Sequence, residues 1–137
     1  MIQNLNLEHY KDIFGILSEL TNAPIIPYKN YIKILNNLNE NHQIFVYLED
    51  NVPVGVITLL IEQKLIHNGK CVGHIEDLVV KKEYNGKRIA KKLINHCMGI
   101  AESKNCYKII LDCKEELESF YKKCNYNKQG ICMRYDI

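Results

Sequence analysis

Two carboxylates, Glu76 and Asp77, stand side by side inside the apolar run Gly73-His74-Ile75-Glu76-Asp77-Leu78-Val79-Val80. A carboxylate in such a run needs a partner or a ligand to offset its desolvation, so the pair marks a place for acid/base chemistry, or else one is solvated and the other caps or salt-bridges a neighbour. Adjacent strand residues face opposite sides of a sheet, which makes these two wall residues rather than a dyad. Directly after them, Tyr84-Asn85-Gly86-Lys87-Arg88-Ile89-Ala90 forms a basic loop with one glycine, leading into an amphipathic pattern from Ile89 to Ala101. Such a loop turns backbone N–H groups and the positive end of a helix toward a phosphate, and a bound anion relieves Lys87 and Arg88 of their unfavourable place at that dipole. From the residues alone, a plain glycine turn before a basic helix reads as well.

Two further residues carry chemistry at a distance in sequence. Asp112 ends the apolar run Lys108-Ile109-Ile110-Leu111-Asp112-Cys113, and Tyr121 lies on the short helix expected from Glu115 to Cys124. Strand ends beside helix starts gather ligands in sheets of this kind, and a phenol there projects over the sheet end. Helix capping for Asp112 and core packing for Tyr121 are the alternatives. His67 and His74 are candidate bases or satisfied structural residues, and no metal set surrounds them, so no metal is expected.

The elements that must position these groups follow from periodicity. Tyr10, Ile13, Phe14, Leu17 and Leu20 fall at helical spacing, as do Tyr28, Tyr31, Ile32, Leu35 and Leu38, with Pro24 and Pro27 between the two helices. Strands are expected over Gln43–Glu49, Val54–Lys64 and Cys71–Val80, joined by turns at Asp50-Asn51 and Asn68-Gly69. After the helix, the Lys108–Cys113 strand runs parallel to the one before it, the helix at 115–124 presents Leu117, Phe120 and Tyr121 on one side, and Gln129–Tyr135 closes the chain as a last strand. The order α-α-β-β-β-α-β-α-β describes an α/β (α+β) fold, a mixed and mostly antiparallel sheet flanked by helices.

At 137 residues, 47% hydrophobic and with a formal charge of +2, the chain fits a single domain over 1–137 and gives no electrostatic argument for nucleic acid. No run approaches the roughly 20 apolar residues of a membrane span, and Met1-Ile2-Gln3-Asn4 lacks a secretory pattern, so a soluble, cytoplasmic protein is expected. Six cysteines, at 71, 97, 106, 113, 124 and 132, include no C-x-x-C pair and are expected to be reduced and mostly buried.

Together these segments resemble the GNAT superfamily of acetyl-CoA-dependent N-acyltransferases, and within it the glucosamine-6-phosphate N-acetyltransferases. The likeness rests on Gly73 to Val80, on Tyr84 to Lys91, on Cys106 to Cys113 and on Phe120 to Lys123, with Ile61 to His67 similar to the family's hairpin. It is strong from about Leu60 onward and thinner before, where Leu17 to Thr21 is similar to the end of the first helix. The resemblance implies direct transfer of acetyl from acetyl-CoA to the 2-amine of glucosamine 6-phosphate, with no acyl-enzyme. It implies that backbone N–H groups around Leu78, Val79 and Val80 hold the acetyl carbonyl and pantetheine, and that Asn85, Gly86, Lys87, Arg88, Ile89, Ala90 and Lys91 take the pyrophosphate. Asp112 then orients the amine and helps it lose its proton, and Tyr121 donates to the departing thiolate. Glu76 and Asp77 contact sugar hydroxyls or the acetyl end, while Thr21, Lys108 and Arg134 meet the sugar phosphate, Arg134 from the partner in a homodimer with an intersubunit site.

Three positions depart from the family pattern. Arg88 stands at a customary glycine and keeps the backbone donors if its φ is helical, Leu117 replaces an asparagine that contacts the coenzyme, and Asn125 replaces a glycine. An acetyltransferase acting on a peptide or other small amine, and a non-catalytic acyl-CoA-binding module, are the alternative readings.

Overall fold

The two β-rich runs flanking Asp50-Asn51 form an antiparallel hairpin, β2 (His42–Glu49) and β3 (Val52–Gln63). Both turn residues take left-handed φ, 48° and 64°, which short polar side chains accept more readily than others. The computed structural model describes residues 1–137. It adds β1 (Ile2–Asn4) beside β2, β4 (Cys71–Val80) antiparallel to β3, and β5 (Cys106–Ile110) parallel to β4, in the order β1-β2-β3-β4-β5.

Helices cover both faces. On one side lie α1 (Tyr10–Leu17) and α2 (Tyr28–Asn37), whose Ile13, Phe14, Ile16 and Tyr31 pack on Val46, Leu48 and Val56. On the other lies α4 (Ile89–Ser103), whose Ile89, Leu93, Ile94, Cys97 and Ala101 pack on Phe45, Tyr47, Ile57, Leu59 and Ile75, joined by Tyr121 of α5 (Glu118–Lys123). β2 alternates between the two layers, so Ile44-Phe45-Val46-Tyr47-Leu48 is apolar throughout. Gly55 lets α4 seat closely, because a Cβ there would meet Leu93 and Ile89 at 3.2 and 3.3 Å. The β3–β4 hairpin turns through the one-turn α3 (Ile66–Gly69), where His67, Asn68 and Gly69 all have positive φ and the His67 ring stacks on Tyr107 at 4.0 Å.

The structure corrects several expectations. Residues 129–135 form no strand: they are exposed and find no ladder partner within the chain. The element order opens instead with β1, which three residues are too short to signal by periodicity. β5 spans Cys106–Ile110 rather than 108–113, leaving Asp112 two residues beyond its end. The 115–124 helix divides into a 3-10 turn at Glu115–Leu117 and α5, and Leu117 is exposed instead of sharing the Tyr121 face. All six cysteines are free thiols as expected, but only Cys97 and Cys124 are buried.

The N-terminal strand is tied to α1 by a buried histidine. His9 Nδ1 accepts from the Asn6 N–H at 3.1 Å and Nε2 meets the Gln3 amide at 2.9 Å, a set that requires a neutral ring. Burial is the main cause that lowers the His9 pKa below 6.5, against the raising fields of Glu8 and Asp12. Because the folded value is the lower one, the unfolded chain binds the proton first. The stabilisation is complete above 6.5 and is lost as pH falls from there through the folded value; His96, lowered by burial alone, acts in the same sense. Thermal melting from pH 8 to about pH 5 is therefore expected to show a falling midpoint below about pH 6.5, with a shallower slope in His9→Gln. An identical slope in the variant refutes the assignment.

Candidate active site

β4 pairs with β5 only from Cys71↔Cys106 to His74↔Ile110, although β4 itself runs on to Val80. Beyond His74 the two parallel strands part and one edge of β4 is open. Lys81 donates to Val54 O at 2.8 Å on the β3 side. Alternation then turns the Val80 N–H, and two residues back the Leu78 N–H, to the open edge. Val79 differs: its N–H turns toward β3 and its side chain packs in the α1/α2 cluster, so it borders the opening without facing it.

Glu76 and Asp77 do not alternate as adjacent strand residues should. Thr58 pairs with Glu76 and Val56 with Val79, so Asp77 and Leu78 together oppose Ile57, and Asp77 has φ 50°. This is a β-bulge. Its effect is a change of phase: Ile75 packs against α4, and so do Leu78 and Val80, an odd and then an even position. Both carboxylates are consequently exposed at the mouth of the opening.

Ile109 packs against the α4 layer, so alternation sends Lys108 and Ile110 to the other face, the one Glu76 shares, and Asp112 beyond the strand end lies close enough for its charge to act on Glu76. Burial raises the Glu76 pKa first, followed by the fields of Asp77 and Asp112, with His74 opposing. Three carboxylates thus converge where a cationic or amine group is favoured. His74 itself is held by Glu62, Nε2 to Oε1 at 3.0 Å.

Asp112, Tyr121 and Lys108 line one groove of about 660 Å³ with Cys113 and Cys132. Burial, then Cys113 and Cys124, push the Tyr121 phenol up to about 12, so it stays protonated across the physiological range. The neighbouring Asp112 carboxylate raises the Cys132 thiol pKa. Cys132 belongs to the exposed C-terminal segment, and its neighbour Arg134 pairs with Asp136 at 2.6 Å. Thr21 is exposed on the α1–α2 loop, which Glu19 ties to the end of β4 by accepting the Lys82 N–H at 3.0 Å.

A second groove, of about 570 Å³, is formed by Tyr84–Gly86, Arg88–Lys91 and Val80 with Phe120, Lys123 and Cys124. Gly86 has φ 88° and Arg88 φ 58°, so Arg88 holds the left-handed conformation of the glycine it replaces, not a helical one. Lys87 turns away and pairs with Glu49 at 2.9 Å, and Lys92 donates to Tyr47 OH at 3.1 Å. Asn125 is left-handed at φ 68°, as expected for a residue in a glycine position.

The fold therefore gathers Glu76, Asp77, Asp112, Lys108 and Tyr121 at one end of the opening and Asn85, Gly86, Arg88, Ile89, Ala90 and Lys91 at the other. It sets Lys87 aside, and Thr21 and Arg134 are exposed and line neither groove. Cys132 and Lys123 were not singled out from the sequence. Cys132 offers no local signal, since only tertiary folding brings it to Asp112, whereas the basic pair after Phe120-Tyr121 was the available hint for Lys123.

Comparison with known proteins follows the same lines. Residues 8–126 match the acetyltransferase (GNAT) family. Glucosamine 6-phosphate N-acetyltransferase 1 of Dictyostelium discoideum is 35% identical over 85% of this chain and 77% of its own length. Glucosamine 6-phosphate N-acetyltransferase of Trypanosoma brucei brucei is 30% identical over 100% of this chain and 93% of its own. The crystal structure of glucosamine-6-phosphate N-acetyltransferase from Arabidopsis thaliana superposes with a TM-score of 0.92 at 28% identity, covering 99% of this chain and 97% of that one.

A left-handed conformation costs a non-glycine residue roughly 1–2 kcal/mol. Arg88 makes no side-chain cap hydrogen bond to offset it. Arg88→Gly is expected to raise the stability measured by urea unfolding by about 1 kcal/mol, part of the relief being returned as glycine's unfolded-state entropy. A lower stability would mean that the arginine side chain stabilises the loop by contacts of its own.

Proposed function

The chain belongs to the acetyltransferase (GNAT) family, and we propose that it transfers the acetyl group of acetyl-CoA directly to the 2-amine of glucosamine 6-phosphate. The products are N-acetylglucosamine 6-phosphate and CoA, on the way to UDP-N-acetylglucosamine. The observation that carries this reading is the parting of β4 from β5 after His74. It leaves unpaired strand N–H groups between a carboxylate cluster suited to an amine and a cationic groove suited to phosphates. Relatives that share the length of the chain are named for this reaction.

Acetyl-CoA supplies the acyl group as a thioester, and the residues present fit it. The Leu78 and Val80 N–H groups hold the acetyl carbonyl and stabilise the oxyanion that forms when the amine attacks. Asp112 orients the amine, and its carboxylate and that of Glu76 take up the proton between them. Asp77 contacts sugar hydroxyls. Lys108 and Thr21 meet the sugar phosphate together with Arg134 of a second copy. The Tyr121 phenol, at about 12, lies well above a free thiol's roughly 8.5. It therefore stabilises the departing thiolate by donating a hydrogen bond while keeping its proton.

A homodimer completes the site in this reading. Ile131, Met133, Tyr135 and Ile137 are exposed and alternate with period two, and β5 is hydrogen-bonded on one edge only. A tail of that pattern suits addition to a second copy's sheet. Six free thiols fit a reducing compartment such as the cytoplasm.

Purified protein with acetyl-CoA is expected to release thiol with glucosamine 6-phosphate and far more slowly with glucosamine; a flat trace with the phosphorylated sugar overturns the proposal. Tyr121→Phe should lower kcat by about 100-fold with KM little changed. In the parent enzyme kcat should show no phenol-dependent fall up to about pH 10. An unchanged kcat in the variant removes the role. Light scattering is expected to give a dimer for the full chain and a monomer after deletion of residues 130–137, and a dimer in both removes the tail from the interface.

A further inference from the structure

The anion-binding groove holds more positive charge than a pyrophosphate needs. Two basic residues about the loop are engaged elsewhere: Lys87 is paired with Glu49 at 2.9 Å and lies over the Tyr84 ring, and Lys92 donates to Tyr47 OH and lies over that ring at 5.3 Å. Arg88, Lys91 and Lys123 remain. All three line the groove, none has an ion-pair partner, and no carboxylate lines it. Lys123 comes from α5, across the groove from the loop, while its neighbour Lys122 is paired with Glu118 at 3.3 Å and lines the other groove.

A pyrophosphate diester carries two negative charges, and the loop backbone, Arg88 and Lys91 suffice for it. The third cation is left without a counter-charge on a wall that also presents Phe120. We propose that Lys123 binds the 3′-phosphate of the coenzyme and so makes the enzyme select CoA over its 3′-dephospho form. This rests on the acetyl-CoA reading above. The dianionic monoester is the one further charge the coenzyme offers, and an ammonium is suited to it as a point charge on a flexible stem, where bidentate geometry is not required.

Calorimetric titration with CoA and with 3′-dephospho-CoA separates the outcomes. The parent protein is expected to bind CoA about tenfold more tightly, the size expected of one charge-assisted contact. Lys123→Ala should weaken CoA alone and bring the ratio to within about twofold, Lys123→Arg should keep most of it, and Lys122→Ala should leave it unchanged. Equal affinity of the parent for both ligands overturns the proposal while leaving the coenzyme reading intact. So does a Lys123→Ala variant that weakens both ligands equally. No binding of CoA overturns both.

Discussion

A strand has two hydrogen-bonding edges, and β4 satisfies one of them along its length but the other only through its first four pairings with β5. An unpaired edge inside a folded domain is costly unless something occupies it. The site follows from this constraint. β3 holds β4 on one side, α4 and α5 border the parting, and Glu19 of the α1–α2 loop accepts the Lys82 N–H just past the end of β4. A ligand that supplies a polar group at Leu78 and Val80 completes the ladder that β5 leaves unfinished.

The bulge at Asp77 adjusts that strand to its task. By inserting one residue opposite Ile57 it reverses the phase of the side chains, so Leu78 and Val80 return to the α4 core. The two acidic side chains before them are left exposed together. A regular strand would have buried one carboxylate in the α4 layer with no partner there.

Charge is sorted along the opening. Glu76, Asp77 and Asp112 lie close enough for their charges to act on one another, whereas Arg88, Lys91 and Lys123 line a groove that no carboxylate lines. The intervening α5 contributes to both grooves, with Tyr121 on one side and Lys123 on the other. Lys87 and Lys92 show that a basic loop is not uniformly an anion site. Glu49 and Tyr47, on β2, withdraw them, and the ion pair braces a loop in which Arg88 is held in a strained conformation.

Most of the fold was legible in the sequence because its elements are long and strongly periodic. The stripes of α1 and α2, the β2–β3 hairpin, the parallel return of β5 after α4 and the motif from Gly73 to Ala90 are local patterns, and Asp112 and Tyr121 stood out as candidates by residue type before their neighbours were known. What the sequence could not decide depends on partners distant along the chain. Residues 129–135 have strand pattern, but a strand exists only where another offers its edge. Arg88 carries the side chain of a helix former, yet it stands left-handed, at φ 58°, immediately before α4. Glu76 and Asp77 read as alternating until the pairing with β3 put a bulge at Asp77 and Leu78. By itself the sequence determined which residues could form strands, helices and reactive groups, because those preferences are set by neighbours in the chain. Only the tertiary structure decided which backbone groups stayed unpaired and which charges stayed free, because both depend on what each segment packs against.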